Sequence, residues 1–170
     1  MMNLTASVSL LVLGGICGCW ISFRYRQRVQ ELCAVELFFS RICAELSLEQ
    51  TATTDLFMKI SRHSCAKMLW FVPRVADLLA QGGAFPKIFS DSIAEYQKTS
   101  AMTNEDFFIL KKAGEIIGSY DLATQLSAIS SLRKSTETQI EEAKQLVQTK
   151  GRTLRSVCIL FGMAAAVLIV

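Results

Sequence analysis

Charged residues stop abruptly near both ends of this 170-residue chain: all 18 Lys and Arg and all 15 Asp and Glu fall between Arg24 and Arg155. Ahead of them runs "NLTASVSLLVLGGICGCWISF", residues 3–23, and behind them "SVCILFGMAAAVLIV", residues 156–170. As a helix the first run reaches roughly 30 Å, enough for a bilayer's hydrocarbon, and the second roughly 23 Å, which flanking arginines lengthen by snorkelling. The pattern predicts a transmembrane helix over 1–23, a charged domain over 24–153 and a second transmembrane helix over 154–170. A cleaved signal carries its basic residues before the apolar run; here they follow it, so the first run reads as an uncleaved anchor. A lipid-modified Cys17 or Cys19 fails for the same reason.

Between the apolar ends, hydrophobic residues recur at helical spacing. Leu32, Val35, Phe39, Ile42 and Leu46 are three or four apart and line one face, with Glu31, Glu36, Arg41 and Glu45 elsewhere. This first helix is predicted to grow out of the anchor to about residue 50, where "TATTD" breaks it. Thr54 is predicted to cap a second helix over 55–67, and a third over 69–81 carries Pro73 in its first turn and stops at Gly82-Gly83. A fourth begins near Pro86. Thr103, followed by Glu105 and Asp106, predicts the N-cap of a fifth helix ending before Gly118. From Asp121 a sixth carries the stripe Leu122, Leu126, Ile129, Leu132, Thr136, Ile140, Ala143 and Val147. No segment alternates with period two. The expected fold is all-α: an antiparallel bundle of about six helices flanked by two transmembrane helices, an even number that returns the chain to the membrane.

Charge then sets the orientation. Arg24, Arg26 and Arg28 follow the first apolar run and Lys150, Arg152 and Arg155 precede the second, so the positive-inside rule makes the domain cytoplasmic. The net charge of +3 comes from these six flanking residues. Without them 12 basic residues face 15 acidic ones, which argues against a nucleic-acid surface.

Catalytic signatures are missing. There is no Gly-rich phosphate loop, no Gly-x-Ser-x-Gly elbow and no Cys-x-x-Cys. Six scattered cysteines read as small apolar fillers in a reducing compartment, and His63 has no ligand neighbours in sequence. Glu45/Glu49 and Asp91/Glu95 lack the Glu-x-x-His partners of a dimetal site and read as solvated faces. No enzyme, metal or cofactor is expected.

Residues 85–129 resemble the stage III sporulation protein AB family of endospore-forming bacteria. The resemblance rests on Phe85-Pro86, Thr103 with Asp106, Gly114 with Gly118-Ser119 and Asp121, and Gln125, in that order; Glu142-Ala143 before a basic stretch extends it. Ala113 and Tyr120 depart from the family's commoner residues. "GEIIGSYDLATQL" is also similar to the Gly-Glu-x-x-Gly turn of the six-helix cytoplasmic domain of type II secretion and type IV pilus platform proteins.

The resemblance implies a membrane platform subunit of a secretion-like complex between mother cell and forespore. It implies a location in the mother-cell membrane around the forespore and, as partners, a cytosolic ATPase, other membrane subunits and a possible second copy. Gly114, Glu115, Gly118, Ser119, Asp121 and Gln125 are the candidate partner-binding residues. From the residues themselves, Gly114 lets another helix approach and Gly118 ends a helix in a left-handed conformation, so the segment is either a tight corner alone or a corner that also presents a surface. The alternative function is a membrane-anchored helical signalling or regulatory module that dimerises through its first and sixth helices.

Overall fold

The computed structural model describes residues 2–48, 52–118, 121–151 and 156–157, with side chains described at 16, 18–48, 52–118, 121–149 and 156–157. Among the described residues it is all-helical: α1 (Met2–Leu48), α2 (Thr53–Ser61), α3 (Phe71–Ala80), α4 (Phe85–Gln97), α5 (Asn104–Ile116) and α6 (Leu122–Leu146). A 3-10 turn spans Ser64–Lys67 and a π-helical segment Val147–Gly151. The chain divides into two compact units, Gln30–Glu141 and the pair Met1–Val29 with Glu142–Val170.

The first unit is built on an aromatic core. Every member of the predicted α1 stripe is buried: Leu32, Val35, Phe39, Ile42 and Leu46. Phe38, which that spacing omits, is fully buried too, its ring 6.1 Å from Phe57 on α2 and 6.0 Å from Phe71 on α3. Phe71 reaches Tyr96 and Phe89 on α4, and Tyr96 reaches Phe107 on α5, all at centroid separations where edge and tilted ring contacts are favourable. Consecutive helices α2 to α5 pack neighbour on neighbour.

Local chemistry sets the boundaries. Thr103 caps α5 through a capping box: its hydroxyl accepts from the Asp106 amide and the Asp106 carboxylate accepts from the Thr103 amide at 2.8 Å. The cap residue of α2 is Ala52, not Thr54, and α2 stops at Ser61 rather than running to 67. There the amides of Arg62 and His63 tighten onto the carbonyls of Lys59 and Ile60, three residues back, and the chain enters the 3-10 turn. Pro73 falls in the first turn of α3, where its missing N–H leaves no bond unmade.

Glu31 lies inside, contrary to its expected place off the α1 core face: it is 4% exposed. Its Oε2 accepts from the Ser100 hydroxyl at 2.5 Å and from the Ala101 amide at 3.0 Å, while the Ser100 oxygen accepts from the Met102 amide. One carboxylate on α1 thereby satisfies the α4–α5 connection, which must otherwise bury unmet donors. The Tyr96 phenol beside this cluster is pushed well above its usual range by burial and by the Glu31 charge, the Ser100 hydroxyl offsetting part of the rise.

The cysteines divide. Cys65 fills the core, whereas Cys19 and Cys33 are exposed and Cys43 half-buried, so among the cysteines with described side chains the filler role holds for Cys65 alone; burial raises the thiol pKa of both Cys43 and Cys65.

Glu31→Ala removes the carboxylate acceptor from the buried Ser100 hydroxyl and the half-buried Ala101 amide and is expected to cost about 3 kcal/mol, lowering the melting temperature by about 10 °C in thermal circular dichroism. A second expectation concerns alkaline pH. Because the folded-state pKa of Tyr96 is raised, the stability it contributes is complete below about pH 10 and is lost as pH climbs from there through the folded value. Melts between about pH 9 and 11 should show a steeper loss for the wild type than for Tyr96→Phe.

Candidate functional site

Helices α4 and α5 run antiparallel: Phe89 early on α4 meets Gly114 late on α5, and Tyr96 late on α4 meets Phe107 early on α5. Gly114 makes the first of these contacts possible. A Cβ built there would stand 2.6 Å from Phe89 Cε1 and nearer still to Cδ1. Beside this contact lies a groove of 470 Å³, lined by Pro86, Phe89, Ser90, Lys111, Gly114 and Glu115. Lys111 and Glu115 are one turn apart yet unpaired with each other, in the order along a helix that gives the weaker ion pair.

At the next corner Ile117 is extended and Gly118 has φ 80°, the positive region the sequence predicts for it. Beyond the turn the Asp121 carboxylate accepts from the Thr124 amide at 3.1 Å, three residues on, and so caps the start of α6; the Thr124 hydroxyl, and after it this amide, hold the carboxyl below its ordinary pKa. Gln125 is 9% exposed and, with Gly118, Thr53 and Leu46, lines a separate 230 Å³ hollow.

The five described candidate residues therefore do not form one surface. Gly114 and Gln125 are buried and shape the packing, whereas Glu115, Gly118 and Asp121 are exposed. Gly114 and Glu115 belong to the α4–α5 groove and Gly118 and Gln125 to the hollow at the corner. Ser119 lies outside the described residues. Sequence spacing alone missed Phe89 beneath Gly114, Thr53 beside Gly118 with its hydroxyl 3.4 Å from a built Cβ, and Lys111 on the groove rim. Phe89 carried no usable signal, because its role depends on a glycine on a different helix.

The flanking basic residues also differ. Arg26 is exposed and Arg28 is 8% exposed. The side chain of Lys150, and all of Arg152 and Arg155, lie outside the described residues. Among the described residues no helix is long and apolar enough to cross a membrane. The expected second span over 154–170 lies outside them apart from Ser156 and Val157, as do most side chains of the first.

The model of one protein family, described as Stage III sporulation protein AB, matches residues 3–170, well beyond the 85–129 segment whose motifs carry the resemblance. No curated protein and no solved structure matches the chain.

Corner and surface are separable by mutation. Gly118→Val forces a β-branched residue to positive φ and is expected to cost about 1–2 kcal/mol or more, and Gly114→Ala, pressed against the Phe89 ring, about 1–3 kcal/mol. Glu115→Ala should change stability by less than about 0.5 kcal/mol. Chemical denaturation of the three variants checks this ordering.

Proposed function

The chain belongs to the stage III sporulation protein AB family, and on that premise we propose that it is a non-enzymatic platform subunit of a secretion-like complex in sporulation. In this reading its two apolar ends hold it in the mother-cell membrane around the forespore, its helical domain faces the cytoplasm, and that domain docks a cytosolic ATPase and other membrane subunits. One observation carries the membrane part. On α1, Ile16, Trp20 and Phe23 are 60%, 66% and 63% exposed, and their spacing of four and three sets them on one face directly before Arg24 and Arg26. Large apolar side chains in such a row are costly in water, and a Trp next to arginines suits the boundary between hydrocarbon and headgroups.

For docking, the support is chemical. Glu115 and Lys111 on the groove rim and Asp121 at the corner are exposed charges, and the groove between the first two is also lined by the Phe89 ring. An exposed charged rim around an apolar lining is the usual anatomy of a protein-binding patch.

The membrane reading is tested by fractionation: the full chain should stay in the membrane pellet after carbonate extraction, and a thiol introduced by Ser90→Cys should react only with reagents that reach the cytoplasm. Extraction into the supernatant, or labelling from outside, refutes it. For docking, Glu115→Ala should abolish capture of the complex's ATPase in a pull-down while the melting temperature stays normal; undiminished capture removes Glu115 from the interface.

A further inference from the structure

The solvent side of α5 carries an aromatic residue at the centre of a charged stripe. Phe107 is 1% exposed and Phe108 is 66% exposed, more than any other large hydrophobic residue described between 49 and 156. Around Phe108 lie Asn104 and Glu105 before it and Lys111 and Lys112 after it, all exposed. At about 100° per residue, Glu105 and Lys112 sit roughly 60° and 40° to one side of Phe108, and Asn104 and Lys111 roughly 40° and 60° to the other. Charge along the stripe therefore reverses sign about Phe108. Glu105, Lys111 and Lys112 pair with no described residue, although Lys59, Arg74 and Arg133 in the same unit each hold a carboxylate.

We propose that this face is where a second copy of the chain docks, the two α5 helices lying antiparallel about a two-fold axis that runs between the paired Phe108 rings. That operation carries Glu105 of each copy to the partner's Lys112 on the same flank, with an axial mismatch of about 1.5 Å, and Asn104 to the partner's Lys111 on the other. The rings cover each other at the centre, where desolvation strengthens the flanking pairs. A parallel arrangement would set Lys112 of each copy against the partner's Lys111 and leave Glu105 facing the partner's Asn104, so the charge pattern selects the antiparallel one. A stripe on one 13-residue helix is smaller than the roughly 1,200 Å² of a stable interface, so the dimer is weak and dissociates on dilution. This contact uses α5, not the first and sixth helices, and shares Lys111 with the rim of the groove proposed for the ATPase.

Sedimentation of the full chain in mild detergent gives the monomer–dimer constant directly. Phe108→Ala should weaken the dimer at least about tenfold, and Glu105→Lys and Lys112→Glu each about fivefold, because each breaks two exposed pairs per dimer. The double variant Glu105→Lys/Lys112→Glu should return to within about twofold of the wild type, the swapped pairs being equivalent. Circular dichroism melts of Phe108→Ala and Lys112→Glu are expected to match the wild type, since the side chains replaced are exposed, and the two variants carrying Glu105→Lys to melt only slightly lower, because they lose an acid from the first turn of α5. A chain monomeric at every concentration, a dimer indifferent to Phe108→Ala, or charge reversals that the double swap fails to rescue would each overturn the proposal.

Discussion

The approach of Phe89 to Gly114 governs the arrangement of the helical unit. With no side chain on α5 at that point, the ring lies directly against its backbone, which fixes how closely and in what register α4 and α5 pack. Phe89 in turn contacts Phe57, Phe71 and Phe85, so the same ring that sets the register joins the aromatic core. Dense interiors transmit such constraints because few voids exist to absorb a displaced ring. Everything displayed on the outer side of α5 inherits its position from this contact, the groove rim and the exposed aromatic alike.

Two kinds of fastening hold the surrounding helices to that core, and they are unequal. The buried carboxylate of Glu31 serves donors 70 residues away in sequence and is shielded from competing water. Surface ion pairs such as Arg74 with Glu95, each about half exposed, contribute little by comparison. Arg133 is intermediate: its guanidinium donates to Glu36 on α1 at 2.6 Å and stands 3.5 Å from Glu137, which links α6 to α1 and raises its own pKa.

Periodic features were the ones legible in the sequence. The α1 stripe, the Thr103 cap and the positive φ of Gly118 each follow from residues within a few positions of one another, where local propensity and tertiary packing agree. Along α6, Ile129, Leu132, Ile140 and Ala143 are buried as the spacing predicts, and Thr136 joins them because its hydroxyl donates to the Leu132 carbonyl. Features fixed by distant partners were not legible. The burial of Glu31 depends on a loop that becomes its neighbour only after folding, and the use of Gly114 depends on Phe89. Of the candidate site, the sequence identified the corner but joined residues that the fold assigns to two separate hollows.

The connection between α4 and α5 shows what these bonds do to motion. Loops between helices are ordinarily the first segments to open, their amide hydrogens exchanging with solvent through small local fluctuations. Here the amides of Ser100, Ala101, Met102, Thr103 and Asp106 all have acceptors, drawn from α4, α1, the Ser100 hydroxyl and the capping box. Exchange at Ala101 is thereby coupled to departure of α1 from this loop, whereas the amides of Ser100, Thr103 and Asp106 are protected by bonds to α4 and within the α5 cap.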